Sequence, residues 1–373
     1  MKSLLSLAWL GVFGVLLSPA FAGEPLKIGV AGSHSGDLAP YGLPAKHAVE
    51  LAVSELNQKG GLLGRAVELI ALDDVCKPET ATNVASKMVS EKVVAVIGHI
   101  CSSATKAALS IYREANILVI SPSATSPELT LEHQNPLFFR TIPHDARQAI
   151  LQAQFAVEAL KVKTAAVVHD KGDYGKGLAL LVEQELRARG VEVLLVEGVT
   201  PGAQDYSALI RKIGRANPDL IAYGGYHPEA SKIVAQARKK GIKSLFISGD
   251  GIKDPSFLKI GRQHAEGYYA TSPSDLSLHP LNQKVTDQLK AKGQVPGNFG
   301  LQAHAAFSAL AHAIEEAKST DPQKIKAELL RLTTQTTLGP ISFDANGDLT
   351  GAGFAVYQVQ KGEFVDLHFS PKP

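Results

Sequence analysis

Two apolar runs, VAVIGH (94–99) and ILVIS (117–121), each lead into a cluster of small hydroxyl residues. The first cluster is Cys101-Ser102-Ser103-Ala104-Thr105, the second Ser121-Pro122-Ser123-Ala124-Thr125. Converging strand ends that present hydroxyls and the free N–H groups of helix starts form a binding site for a small carboxylate. A hydroxyl between a strand and a helix also serves as a plain N-cap. That reading covers Ser102 or Thr125 alone, and covers two neighbouring clusters less well. Asp250, in FISGDG, stands at another strand tip, where it is either a turn Asp-Gly or a carboxylate offered to an ammonium group. Tyr41 (LAPYGLP), Tyr174 (KGDYGKG) and Tyr226 (YGGYHPE) stand in Gly-flanked loops after strands. There a ring walls an apolar pocket while its OH reaches a polar group, although each tyrosine alone is also ordinary loop filling.

Catalytic chemistry finds little support. The chain has no G-x-S-x-G elbow, no H-E-x-x-H and no G-x-x-x-x-G-K-[ST] loop. Gly29-Val30-Ala31-Gly32 follows the first strand without completing G-x-G-x-x-G. Asp73-Asp74 reads as a strand exit or structural link rather than an acid–base dyad. His34, His99, His169 and His227 lie in different loops without metal-ligand spacing. No enzyme activity, cofactor or metal is expected.

The elements that must hold these tips alternate. Strand-like runs at 26–32, 66–74, 93–99, 117–121, 164–170, 191–198, 220–226, 244–250 and 267–271 are short and nearly continuously apolar, as in parallel strands buried on both faces. Helical patterns lie between them: Ala48, Leu51, Ala52 and Leu56 mark one apolar face, and Leu178, Leu181, Val182 and Leu186 another. The spacing predicts a doubly wound α/β architecture in two units, from Leu26 to about Arg140 and from about Thr164 to about Tyr269. A helical segment over 281–332 and two terminal strands joined at Lys361-Gly362 follow. Ligands of such sheets bind beyond the carboxyl ends of the strands, which is where the polar tips stand.

With 373 residues, two domains of ordinary size are expected. A composition 45% apolar and 20% charged, at net charge +2, argues against nucleic acid or another polyanion as partner. MKSLLSLAWLGVFGVLLSPAFA has a lysine, a short apolar run and an A-x-A site, which is a secretory signal peptide cleaved after Ala22. An uncleaved anchor is the alternative, but the run is short for a span of about 20 residues. Gly23 rather than Cys follows the site, so no lipid anchor is expected. Export makes the only two cysteines, Cys76 and Cys101, a candidate disulfide. Each follows a predicted strand, and neither has the C-x-x-C or histidine company of a redox or metal site.

At these residues the chain resembles the periplasmic branched-chain amino-acid-binding proteins, the leucine/isoleucine/valine receptors of bacterial ABC importers. DDVCKP, GHICSSAT, ISPSATSPELT, VHDKGDYGKG, YGGYHPE, LGPISFDANGDL and SGDLAPYG carry the resemblance, in matching order over essentially the whole mature chain. It implies a type I periplasmic binding-protein fold, two α/β lobes joined by three crossovers. Lobe 1 is then 23–143 plus 273–352 and lobe 2 is 144–272 plus 353–373. It implies that Ser102, with the backbone through Ser123, Ala124 and Thr125, holds a ligand α-carboxylate, and that Ser123 and Thr125 help take the α-ammonium. It sets Tyr174 and Tyr226 on the second lobe's side, Tyr41 and Phe299 near the ligand side chain and Ile100 against the cleft. It also supports the Cys76–Cys101 disulfide. Two departures stand out. Asp250 replaces the family's usual Glu, shortening the reach by one methylene. The segment GLQAHAAF after Phe299 lacks bulky aromatics, which predicts a roomier side-chain pocket.

The expectation is a monomeric periplasmic protein that takes a neutral, apolar L-amino acid to an ABC permease. A sensor module handing the same ligand to a membrane receptor is the alternative, mildly disfavoured by the lack of a fused output domain. An exported hydrolase is opposed by the missing nucleophile–base pair.

Overall fold

The computed structural model describes residues 21, 23–131, 134–276 and 279–371; the expected signal peptide, Phe21 apart, and Ala22 at its expected cleavage site lie outside the described residues. The first unit runs β1 (Leu26–Gly32), α1 (Ala39–Gln58), β2 (Val67–Asp73), α2 (Pro78–Ser90), β3 (Ala95–Ile97), α3 (Ser102–Glu114), β4 (Leu118–Ser121) and β5 (Phe138–Arg140). Then α4 (Asp145–Glu158) leads into β6 (Thr164–His169), α5 (Asp173–Ala188), β7 (Glu192–Gly198), α6 (Ser207–Ala216), β8 (Leu220–Gly224), α7 (His227–Lys239), β9 (Leu245–Ser248), α8 (Pro255–Gly261) and β10 (Tyr269–Pro273). The helices α9 (Pro280–Ala291), α10 (Gly300–Ala317) and α11 (Pro322–Leu329) follow, with β11 (Thr334–Thr336), β12 (Gly339–Phe343) and β13 (Leu349–Thr350). The last strands are β14 (Phe354–Gln360) and β15 (Glu363–Asp366).

Strand order repeats. The first sheet is β2-β1-β3-β4-β5 and wholly parallel. The second reads β7-β6-β8-β9-β10 from one edge, the same order starting at β6, with β14 and β15 added antiparallel at the other. In each sheet the order reverses beside the first strand, between β1 and β3 and between β6 and β8. The loops leaving those strands therefore border a crevice, the topological switch point where open α/β sheets bind ligands. The strands in question are buried on both faces, as their continuous apolar runs require: every residue of β3, β4 and β8 is buried.

Each sheet has its own core. The first gathers Ile28, Val96 and Ile120 with Phe307 and Leu310 of α10, so the helices after β10 return to the first sheet. The second sheet is covered by Ala149 and Leu178 on one face and by Ile210 and Ile233 on the other. The sequence missed β5, three residues without alternation, and the small antiparallel sheet β11-β12-β13. The helical stretch at 281–332 is three helices, not one.

Candidate functional site

The disulfide joins Cys76, after β2, to Cys101 at the mouth of α3, with a Cα–Cα distance of 5.5 Å. The neighbouring acidic pair is structural. Asp74 holds the His99 Nδ1 at 2.5 Å and accepts from the Cys76 N–H, while His99 Nε2 meets Tyr112 Oη at 3.0 Å. Asp73 takes the His34 and Val75 N–H groups and the Ser35 hydroxyl.

Neither hydroxyl cluster caps a helix by side chain. Ser102 is the first residue of α3, behind Cys101 at the cap, and its Oγ accepts from Ser126 N at 3.3 Å. Ser121 Oγ donates to His99 O and accepts from the N–H groups of Ser123 and Ala124, which tightens the second tip and fastens it to the first. Ser123 Oγ donates to Ile100 O at 2.8 Å. Beneath this loop lies Arg140, fully buried at the end of β5. Its guanidinium pairs with Asp348 and Thr130, and its Nη1 donates to the carbonyls of Ala124 (3.0 Å) and Ser126 (2.8 Å). The hydroxyl tips are thus held in place before any ligand arrives.

From the second sheet, Asp250 follows β9 and is 2% exposed. Its Oδ1 accepts from Tyr174 Oη and Gln148 Nε2, both at 2.9 Å. Gln148 Oε1 in turn accepts the Asp250 N–H. Burial pushes the Asp250 carboxyl above the usual carboxylate range, opposed by the hydrogen bonds from Gln148 and Tyr174. The shorter side chain in place of Glu is therefore anchored from behind. The three tyrosines stand at helix starts rather than in free loops: Tyr41 in the first turn of α1, Tyr174 in that of α5, Tyr226 at the cap of α7. Glycine allows the last two to meet. A Cβ on Gly224 would lie 1.9 Å from Gly175 O, so only glycine lets the start of α5 pack on the end of β8. Tyr174 and Tyr226 then have ring centroids 5.1 Å apart.

The tips close on one small chamber whose free volume of about 10 Å³ is room for roughly one water molecule. Ser102, Ser123 and Ile100 form one wall, Asp250, Gly251 and Tyr174 the opposite wall, and Tyr41, Tyr226 and Phe299 the apolar end. Eight of the ten residues singled out in the sequence line it. Ala124 and Thr125 do not: Ala124 turns its carbonyl to Arg140, and Thr125 is wholly buried behind the wall. The apolar end is lined by the rings. The Tyr41 ring sits 6.1 Å from Tyr226 and 5.8 Å from Phe299, while the small residues after Phe299 enter α10, which packs on α1 instead.

The two units touch across the mouth. Tyr41 Oη contacts Gly251 O and His227 Nδ1, each at 2.7 Å. Asn298 Nδ2 donates to Asp250 O at 3.1 Å. At the rim, Asp173 N donates to Ser103 Oγ at 3.0 Å, and Lys106 bridges Asp173 (2.9 Å) and Glu128 (2.8 Å). The cleft is shut. Sequence reasoning missed Asp145, Gln148 and Gly251 and gave His227 no contact at the site; their roles arise only from tertiary contacts.

A doubled switch-point crevice, closed by side chains from both sheets, is the architecture of solute receptors, and a family description named periplasmic binding protein matches residues 25–363. The chain belongs to the periplasmic binding protein family. Its fold is the type I fold of that family. The Leu/Ile/Val-binding protein of Citrobacter freundii is 38% identical over 348 residues, 93% of this chain and 94% of that protein. Among solved structures, a leucine-binding protein of Thermotoga maritima superposes with a TM-score of 0.86 at 29% identity, over 91% of this chain and 97% of that one. A branched-chain amino acid transporter substrate-binding protein of Streptococcus pneumoniae, in complex with isoleucine, gives 0.81 at 28% identity, over 92% of this chain and all of that one. Among the described residues of this periplasmic binding protein, no helix is long and apolar enough to cross a membrane and no cluster of ligating side chains suits a metal.

Proposed function

We propose that this protein captures a neutral aliphatic L-amino acid of the leucine, isoleucine and valine class in the periplasm and delivers it to the permease of an ABC importer. The observation that carries the reading is the chamber itself, with hydroxyls and a helix start on one wall, a single buried carboxylate opposite, and three aromatic rings at the end. The Ser102 tip and the first turn of α3 take the α-carboxylate; Asp250 takes the α-ammonium. Both charged ends lose water on closure and need such charge-assisted partners. The side chain is buried against Tyr41, Tyr226 and Phe299, contributing about 25 cal/mol per Å² of apolar surface removed from water.

Lobe 1 comprises residues 23–143 and 273–352, lobe 2 residues 144–272 and 353–373, and the crossovers near 143, 272 and 352 act as hinges. The protein works as a monomer without a cofactor, after removal of the leader following Ala22. A hydrolytic role is disfavoured because neither chamber serine is hydrogen-bonded to a base. The relatives are named as binding or transporter proteins, which favours transport over sensing.

The test is a thermal-shift screen of the mature protein against the proteinogenic amino acids. A ligand at a hundredfold excess over its Kd adds about 2.7 kcal/mol of stability. Leucine, isoleucine or valine should raise the melting temperature most, and a screen in which none does so would overturn the reading.

A further inference from the structure

Asp145, the first residue of α4, is wholly buried and was not among the residues expected at the site. Its backbone N–H donates to Thr125 O at 2.9 Å. Its Oδ1 accepts from Gln148 Nε2 at 2.9 Å, and the same nitrogen donates to Asp250 Oδ1 at 2.9 Å. One amide nitrogen thus joins two buried carboxyl groups, and Gln148 cannot turn to relieve them, because its Oε1 is held by Asp250 N and by Thr271 Oγ1 at 2.7 Å. On the far side of Asp145, two polar atoms have no hydrogen-bond partner: Asp145 Oδ2 and Thr125 Oγ1. Thr125 is near enough to favour the charged carboxylate, though no bond of normal geometry joins the two.

Two carboxylates this deeply buried do not both carry charge without a cation beside them. Arg140, from β5, acts on Asp145, but its guanidinium is committed to Asp348 and to the carbonyls of the loop. The other titratable groups around the pair are His144, at the start of α4, and the hydroxyls of Tyr174 and Tyr226. Burial lowers the His144 imidazole, and burial holds both tyrosines far above their ordinary range. None of these supplies a positive charge near neutrality.

We propose that Asp145 and Asp250 share one proton across Gln148 in the ligand-free protein, and that an arriving α-ammonium expels this proton to solvent. The inference rests on the reading of the ligand as an amino acid. The balance is simple: one proton leaves, one ammonium enters, and the net charge of the carboxyl pair with its cation stays at one negative. Thr125 changes role with it. Beside a protonated Asp145 its oxygen accepts, and beside an ionised Asp145 its hydroxyl donates to the carboxylate. Asp145 is thus a positioning residue that acts through Gln148 and Thr125. Burial, then the Asp250 charge, pushes the Asp145 carboxyl well above its usual range, in the direction this requires.

The free protein then holds one more proton than the complex. Affinity rises with pH between the pair's bound-state and free-state values, by up to about tenfold per pH unit, and is flat above the free-state value. The experiment is calorimetric titration of L-leucine into the mature protein between about pH 4.5 and about pH 8, in buffers of contrasting ionisation enthalpy. Net release should approach one proton in the acid range and vanish on the alkaline side. Asp145→Asn should abolish the release and flatten the pH profile. Thr125→Val removes the hydroxyl that favours the Asp145 carboxylate, so it should move the release to higher pH; it carries the test if Asp145→Asn does not fold. Leucine binding with no proton exchange at any pH overturns the proposal alone, as does undiminished release in Asp145→Asn. No heat with any amino acid overturns the ligand reading and this proposal with it.

Discussion

Tyr41→Phe isolates the cost of closing the cleft. Tyr41 belongs to the first unit and is wholly buried, and its hydroxyl reaches Gly251 O and His227 Nδ1 on the second, each at 2.7 Å. Gly251 O can only accept, so the single hydroxyl proton goes there, and His227 must present Nδ1–H to the Tyr41 oxygen. Burial lowers the His227 imidazole, which fits a neutral ring in that tautomer. Phenylalanine keeps the ring contacts with Tyr226 and Phe299 and removes both bonds. In the closed state it leaves a buried carbonyl and a buried N–H unpaired; in the open state both reach water. Stranding such groups costs about 1–3 kcal/mol. That loss falls on the closed, ligand-holding state, so Kd for L-leucine should rise by about 5- to 150-fold. Calorimetry measures it, and thermal unfolding without ligand supplies the control, because each unit keeps its own core. A Kd within about twofold of wild type, or a lowered melting temperature with unchanged affinity, would refute the reasoning.

Other outcomes follow from the same contacts. Lys106→Glu sets three acidic groups together at the rim; with exposed ion pairs worth about 0.2–1 kcal/mol, leucine affinity should fall a few-fold at low salt and recover at high salt. Arg140→Met strands Asp348 and the carbonyls of Ala124 and Ser126, so chemical denaturation should show a loss of about 3–5 kcal/mol together with weaker binding. Reduction of Cys76–Cys101, or the paired change to serine, should lower stability by about 3 kcal/mol for a bridge spanning 25 residues and loosen the Ser102 tip.

What could be read from the sequence was whatever rested on local pattern. Nearly continuous apolar runs marked buried strands, and the polar residues at their ends proved to be the chamber walls because a doubly wound sheet delivers every such end to one edge. Ser102, Ser123 and Asp250 were therefore visible without the structure. Asp145 was not: HDARQ reads as an ordinary acidic residue in a first helical turn, and only tertiary contact shows that Gln148 ties it to a residue 105 positions on. Arg140 offered a signal that was passed over, a charged residue closing the apolar run LFF. Tyr41, Tyr174 and Tyr226 line the chamber from helix starts rather than from the expected loops, since flanking glycines suggest turns even where, as at Gly175, they allow close packing at a helix start. The composition after Phe299 says nothing about which face of α10 meets the chamber.

The central claim is that the chamber reads both charged ends of one small amino acid. The direct measurement is calorimetric comparison of L-leucine with 4-methylpentanoate, which lacks the ammonium, and with isopentylamine, which lacks the carboxylate. Leucine should bind, and each truncated ligand should bind at least about 30-fold more weakly, as expected when about 2 kcal/mol or more of buried charge pairing is lost. Equal affinity for leucine and 4-methylpentanoate would contradict the account, because Asp250 would then have no ammonium to hold.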